Sequence, residues 1–449
     1  MEPKGKHVVA IALAGLLTAC ASAPSAPLGP VVEATLGEPD FSALARDAAS
    51  LQHPVLKPVT IDFSRPLTPE ALGVIAVVAS PDLKAARAKA KVTRAQLFDS
   101  GLLPDPVITL GFDKLLSGPD AFNGWTAQIA QDLMALRDRG VSRARDHAAA
   151  RQVRLDVAWQ EWQAAGQARL LAARIAALTP IVALNAAARV KSETILEATL
   201  QAAARGDIKA DDIEARRIAA IDAADKASSS ARDLETARHA LDALLGLPPE
   251  TSLAIAPTAD ISPPLDPNAL FERARRQRLD LQALQAGYDS QDASVRKAVM
   301  DRFNSLQLSV NRTSDTAQNH TLGGQVAFAL PVWNGNRGGI AIALATRDQL
   351  RAEYAARVFS ARADIAELTA QLTAEKRERL MVSRQLEALR PLATASERAA
   401  NRGDVSLVAA SAVRQSVTDK ELTLATLDQS IGEQTAALII AVGGPLQDE

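Results

Sequence analysis

Two hydrophobic periods alternate along the chain. Long Ala/Leu-rich stretches at about 81–99, 135–203, 208–245, 268–299, 338–400 and 405–441 predict helices, two of them very long. Between them, four short stretches change to period two. In PDPVITLGF, Ile108, Leu110 and Phe112 fall on one face and Val107, Thr109 and Gly111 on the other. In WTAQIAQ, Trp125, Ala127 and Ile129 alternate with Thr126, Gln128 and Ala130. Leu306, Leu308 and Val310 alternate with Gln307, Ser309 and Asn311, and Val326 and Phe328 with Gln325 and Ala327. One apolar face against one small or polar face marks a strand between two environments. The strands are expected at about 104–112, 122–133, 303–312 and 320–333.

The pattern is written twice. A shift of 197 places Arg205-Gly206-Asp207-Ile208 on Arg402-Gly403-Asp404-Val405, Gly246 on Gly443, Pro248 on Pro445 and Gln128 on Gln325. Upstream a shift of 198 places Asp82-Leu83 on Asp280-Leu281 and Ala85 on Ala283. One register kept over so much chain is a duplication. The first repeat is expected over 70–267 and the second over 268–449, each a helix, a strand pair, a long helix, a glycine turn and a return helix. Pro180 lies inside the first long helix and is expected to bend it.

Composition narrows the class. Of the 449 residues 47% are hydrophobic but only 3% aromatic, which suits closely packed alanine-rich helices better than large globular cores. A net charge of −2 gives no reason to expect nucleic acid as a partner. The start of the chain adds a compartment: Lys4 and Lys6 precede ten apolar residues, Val8 to Leu17, too few to span a bilayer. Residues 1–19 therefore read as an export signal peptide. Leu17-Thr18-Ala19-Cys20 resembles the bacterial lipobox, making Cys20, the single cysteine, a candidate for lipidation. Residues 20–69, rich in Pro, Ala and Ser, read as a tether with one short helix near Ser42–Ser50.

Exported strands with one apolar face, and with Phe122, Trp125 and Trp333 near their ends, suggest a membrane wall flanked by an interfacial girdle. The lipid-facing set is then Ile108, Leu110, Phe112, Trp125, Ile129, Leu306, Leu308, Val310, Val326 and Phe328. Four strands do not close a barrel, and open edges are not tolerated in lipid. Three copies of the chain would supply 12 strands and two copies only eight, so a homo-oligomer in contact with lipid is expected, for which a homotrimer gives a plausible ring. A helix of about 69 residues spans on the order of 100 Å, too long for a membrane bundle. Stretches 208–245 and 268–299, stacked end to end, match one long helix in length.

In order along the chain, these features resemble the TolC family of outer membrane efflux proteins. GLLPDPVITLGF resembles the family's entry into its first strand. RLDLQALQAGYDSQDASVRKAV resembles its Arg-Pro-Asp-Leu helix, with Leu279 where proline is usual, and TLGGQVAFALPVWNGNRGGIAIA its turn into the second long helix. The likeness covers roughly residues 70–445. It implies a mainly α fold with a small β contribution: a 12-stranded outer membrane barrel continued by a periplasmic α-helical barrel. It implies a passive exit duct of a tripartite pump, docked to a periplasmic adaptor and served by an inner membrane transporter of the resistance-nodulation-division type. The stretch Asn334 to Ala341 is similar to the heavy-metal resistance branch.

The resemblance places the two Arg-Gly-Asp turns at the periplasmic tip, where the adaptor docks and the aperture is held. It nominates Arg205, Gly206 and Asp207 with Arg398, Arg402, Gly403 and Asp404. Physically, glycine suits the left-handed backbone of a tight turn, and the Asp after it is expected to cap the next helix. Some relatives carry gate carboxylates six and nine residues after the second turn glycine. Here those positions are Ala409 and Ala412, leaving Asp211, Asp212 and Glu214 as weaker substitutes. His7, His53, His147, His239 and His320 are scattered, so neither an enzyme nor a cofactor or metal site is expected. Two rivals stay open: the same duct carrying drugs or secreted polypeptide, and a periplasmic coiled-coil lipoprotein scaffold or pump adaptor.

Overall fold

A computed structural model describes residues 26–29, 37, 39–120, 122–206, 210–249, 251, 253–256 and 266–446, the side chains of 210–212 and 407 excepted. The chain divides into Met1–Asp40 and Phe41–Glu449, and the second unit holds every element below. The signal peptide and Cys20 lie outside the described residues.

Helix α1, Phe41–Ala49, is the short helix expected in the tether. Helix α2, Pro69–Ala79, was not expected as a separate element. Thr68 caps it, accepting from the Ala71 amide at 3.2 Å, and Pro69 opens its first turn. Its sequence PEALGVIAVVA is apolar on every side, and Leu72, Ile75, Ala76 and Val77 are fully buried. Helix α3, Pro81–Ser100, follows after the single extended residue Ser80.

The second repeat copies this break. The helix expected at 268–299 is in fact two, Pro267–Gln277 and Leu279–Met300. Arg278, between them, takes extended angles of φ −61° and ψ 119°. Shifted by 198, these helices fall on α2 and α3, with Arg278 on Ser80. We number them α6 and α7, after the long α4 (Met134–Ala204) and its return helix α5 (Ala210–Leu245). The second hairpin is α8 (Arg337–Asn401) and α9 (Leu407–Val442). Helix α4 contains an apolar window long enough to cross a membrane, but α2, α3, α5, α7 and α9 pack along it. It runs unbroken through Pro180, as α8 does through Pro391.

Small residues set the helix spacing. Ala165, Ala168 and Ala172 of α4 are fully buried, and a Cβ on Gly166 would lie 2.1 Å from Ile440 Cγ1 of α9. Trp162 is the large exception, donating through Nε1 to the Ile440 carbonyl at 3.3 Å. The return helices stack differently from expectation. Gly246, ending α5, abuts Pro81, and Gly443, ending α9, abuts Arg278. Each return helix thus meets the start of the short helix in its own repeat, α5 on α3 and α9 on α7. The expected stacking of 208–245 with 268–299 is replaced by this one, since Gly246 meets Pro81 at the start of α3.

Strands β1 (Val107–Asp113), β2 (Gly124–Asp132), β3 (Leu306–Ser314) and β4 (His320–Phe328) form one antiparallel sheet in the order β1-β2-β3-β4. Their ends lie within five residues of the stretches expected, and β4 begins at the expected residue 320. The last stops at Phe328 rather than 333 because its partner β3 begins at Leu306, directly opposite. Beyond it the Ala329 amide turns to Ser305 Oγ at 2.9 Å, and Pro331 has no amide to offer. Gly335 and Asn336, both at φ +51°, then swing the chain into α8. Asn336 Nδ2 ties that turn to the Ala298 carbonyl of α7 at 2.8 Å.

Candidate functional site

The sheet register decides which side chains share a face. Ile108 pairs with Ile129, Phe112 with Trp125, Ile129 with Val310, Leu308 with Val326 and Leu306 with Phe328. All ten residues nominated for lipid contact therefore lie on one face of one sheet. Nine are exposed within the chain, Ile108 at 70% and Phe112 at 69%, while Leu306 is half-buried. Such a continuous apolar face is far from the scattered hydrophobes of an ordinary surface. The opposite face carries Thr109, Gly111, Thr126, Gln128, Gln307, Asn311, Gly323 and Gln325. One charged residue shares the apolar face: Arg312, across from Ala127, its guanidinium 6.0 Å from the Trp125 ring. Sequence reading passed over it, although its place in the alternation was visible.

Strands β1 and β4 are the outer strands, and each leaves one edge without a partner among the described residues. A seam joins the repeats at β2–β3, where Gln128 pairs with Asn311.

At the far end of the helices the two turns are geometrically alike. Gly206 has φ +82° and Gly403 φ +83°. The Gly403 amide donates to the Ala400 carbonyl at 3.0 Å and the Asp404 amide to Ala399 at 2.9 Å, closing the end of α8. Gly206 donates to Ala203 at 2.9 Å in the same way. Arg205, Arg398, Arg402 and Asp404 are exposed around these turns. Asp207 lies outside the described residues. The cap of α9 is not Asp404 but Ser406, whose Oγ accepts from the Ala409 amide at 3.2 Å. Asp404 instead turns back to Arg402 Nε at 2.9 Å.

Charged side chains hold the second hairpin together. Arg414 grips Glu397 through two bonds of 2.6 Å, Arg390 reaches Glu421 at 3.0 Å, and Arg379 pairs with Asp428. The Arg414 bonds hold the Glu397 carboxyl below the usual carboxylate range. Arg174 of α4 binds Glu433 of α9 at 2.7 and 2.9 Å. Burial alone would raise the Glu433 carboxyl, but the Arg174 and Gln429 bonds outweigh it.

Between that pair and the turns, α4, α5 and α9 part to form a groove of about 420 Å³. Asn185, Ser192, Arg216, Asp222, Lys226, Gln415 and Asp419 line it, with Ala412 at its wall. The groove brings both hairpins to one end of the bundle. Its residues were missed because they belong to three helices distant in sequence. Ala409 and Ala412 are exposed, and neither supplies a carboxylate. Among the described residues no three His, Cys, Asp or Glu side chains gather as metal ligands.

Residues 270–444 match the family model described as outer membrane efflux protein. The chain carries an outer membrane efflux protein domain. Comparison with curated proteins by sequence gives no match. Among solved structures, the efflux-domain chain resembles the outer-membrane channel OprN at 18% identity and TM-score 0.69, covering 91% of this chain and 99% of that one. It resembles the MtrE outer membrane channel of Neisseria gonorrhoeae, solved in its open state, at 17% identity and TM-score 0.62, covering 95% and 99%. It also resembles CusC, described as a transmembrane channel, at 15% identity and TM-score 0.67, covering 88% and 99%. At these identities the likeness is one of fold, and it extends over both repeats.

Proposed function

We propose that three copies of this chain form an outer membrane exit duct of a tripartite efflux system. The observation that carries the reading is the sheet: one continuous apolar face, one small and polar face, and an unpaired strand at each edge. Joining β1 of one copy to β4 of the next removes every open edge, which lipid demands, and three copies make a ring of about 12 strands. Each copy then turns its apolar face to lipid and its polar face to a water-filled lumen. The helices continue the wall through the periplasm as an α-helical barrel. Residues 1–19 act as the export signal, and Cys20 is acylated to anchor residues 20–69.

The turns at Arg205-Gly206-Asp207 and Arg402-Gly403-Asp404, with Arg398, form the periplasmic tip that receives an adaptor. That adaptor couples the duct to an inner membrane transporter of the resistance-nodulation-division type. Heavy-metal cations are the proposed cargo, on the likeness of Asn334 to Ala341 to that branch. The scaffold or adaptor reading fits less well, because both hairpins belong to one duplicated unit sharing one sheet.

Detergent-extracted protein examined by light scattering should be an elongated trimer from the outer membrane fraction. A water-soluble monomer would overturn the reading. For cargo, a deletion strain should gain sensitivity to divalent metals; sensitivity gained only to lipophilic drugs would reverse that assignment.

A further inference from the structure

The short loop after α1 covers a place where the two repeats meet. Residues 50–58 leave α1 and return to it, since the Val59 amide donates to the Ala48 carbonyl at 3.3 Å. Phe41 and Phe63, with ring centroids 4.7 Å apart, fasten the same base. A surface loop closed at its base can swing on its two ends while the rest of the chain stays folded. Its tip is plugged into the bundle by Leu56, 6% exposed, which joins Val77 of α2, Leu83 of α3, Trp159 and Trp162 of α4 and Leu279 of α7 in one apolar cluster. Val55 lies beside the chain that leaves α9, its Cγ1 3.9 Å from where a Cβ on Gly444 would stand. The loop thus bridges helices of the first repeat to Leu279 and Gly444 of the second.

His53 holds this plug in place. Its side chain is fully buried. Its Nδ1 accepts from the Val55 and Leu56 amides at 3.1 and 3.0 Å, while Nε2 donates to the Ala158 carbonyl of α4 at 3.0 Å. Only the neutral ring protonated on Nε2 does both. A proton added to Nδ1 takes away the acceptor of those two amides and aims an N–H at them. The charged groups around the ring come from two helices. Glu161 of α4 lies 3.7 Å from Nε2 and favours the added proton. Arg87 of α3 opposes it, and is itself engaged with Glu161 at 2.8 Å and with the Val77 carbonyl at 2.7 Å. Helices α2 and α7 present the apolar Val77 and Leu279 to the loop. Burial outweighs the Ala158 bond and Glu161, so the closed loop favours the uncharged ring.

We infer that residues 50–58 form an acid-opened flap over the junction between the repeats, latched by the neutral His53 ring. With the flap open, the ring returns to water and takes up its proton near pH 6.5. Closure is therefore strongest above 6.5 and weakens as pH falls toward the closed-state value, by up to about tenfold per pH unit for a single proton. Opening withdraws Leu56 and uncovers Trp159 and Leu279, where α4 meets α7. The flap is a property of one chain and does not depend on the trimeric duct proposed above.

The test is hydrogen exchange of the full-length protein in detergent, read by mass spectrometry from about pH 8 to about pH 5 and corrected for intrinsic rates. Wild type should lose protection in the segment 51–58 below pH 6.5, while the segment of α8 around Ile365 keeps its own. His53→Gln, which can still donate to Ala158 and accept from the two amides, should remove that pH dependence. Leu56→Ala should lower protection of the loop at every pH and keep the dependence, so a loosened plug is told apart from a lost latch. Protection that stays flat across the range, or a fall that survives His53→Gln or vanishes with Leu56→Ala, would overturn the flap. So would an equal fall in α8, which would report global unfolding. Light scattering on the same samples reads the trimer separately, so loss of the duct and loss of the flap are distinguished.

Discussion

Gly443 stands against Arg278 so closely that a Cβ would lie 2.8 Å from the Arg278 Cγ and 3.0 Å from its Cα. Gly443 also holds φ +78°, so alanine there meets backbone strain and a backbone neighbour at once. Gly403 has nearly the same angle, φ +83°, with nothing within 4 Å of its Cβ direction. Gly403→Ala should therefore cost about 1 kcal/mol, the conformational penalty alone. Gly443→Ala should cost measurably more, because α9 must retreat from the start of α7. Denaturant midpoints of the two variants in the same detergent check the order. Equal losses would mean that the stacked junction gives way freely.

The same junction buries an ion pair. Arg278 binds both oxygens of Asp280 at 3.0 and 2.7 Å, donates to the Ala441 carbonyl at 2.8 Å, and stacks 4.9 Å from the Trp159 ring. Both side chains are below 10% exposed. Removing one partner strands the other charge in the interior, a loss of ~3–5 kcal/mol. Asp280→Asn should thus lower the unfolding midpoint more than any exposed pair, such as Arg217 with Glu214, does when broken. Asp82, its counterpart in the first repeat, is exposed, and Asp82→Asn should be nearly silent. Parallel melts of the two Asn variants test whether the repeats have diverged here as the structure states.

Two titratable groups give opposite pH slopes. Burial raises the Asp242 carboxyl to about 6, above its unfolded value, with His239 and Arg238 opposing. The protonated acid is the one the fold prefers, so its contribution is present at low pH and is lost as pH rises through about 6. His53 works the other way. Its Nδ1 accepts from the Val55 and Leu56 amides at 3.1 and 3.0 Å, and its Nε2 lies 3.0 Å from the Ala158 carbonyl. That arrangement fits the neutral ring protonated on Nε2, and burial lowers its pKa below 6.5 despite the Ala158 bond and Glu161. Its contribution is present above 6.5 and is lost as pH falls toward the folded value. Asp242→Asn should raise the melting temperature at pH 7 and leave it nearly unchanged at pH 4.5. His53→Gln should flatten the loss of stability below pH 6.5.

These sites show which features the sequence carries and which it hides. The strand faces were legible because a period of two survives any sheet, and every nominated residue from Ile108 to Phe328 reached one face. Gly206 and Gly403 were legible because the duplication aligned them. Helix α2 was not, since PEALGVIAVVA has no polar stripe to betray its period. The break at Arg278 carries neither Gly nor Pro in this repeat, although Pro81 marks its counterpart. Ser406 displaced Asp404 as the cap because the turn consumes two more residues before α9 begins. The pairing of α9 with α7, and the groove around Asn185, are tertiary and left no local trace.

Adjacent positions on β4 offer the sharpest test of the membrane wall. Val326 faces the apolar side and Gln325 the polar side, one residue apart and both exposed in the single chain. A soluble half-exposed sheet would tolerate lysine at either position. In a barrel, lysine on the lipid face costs ~2–4 kcal/mol near the bilayer midplane, whereas lysine in the lumen stays hydrated. Three copies multiply the difference, since each trimer carries the substitution three times. Val326→Lys should therefore deplete trimer from the outer membrane fraction, read as loss of the slow-migrating band on unheated gels. Gln325→Lys should retain that band and leave the trimer extractable in the same detergent. Equal yields would place the apolar face against protein rather than lipid.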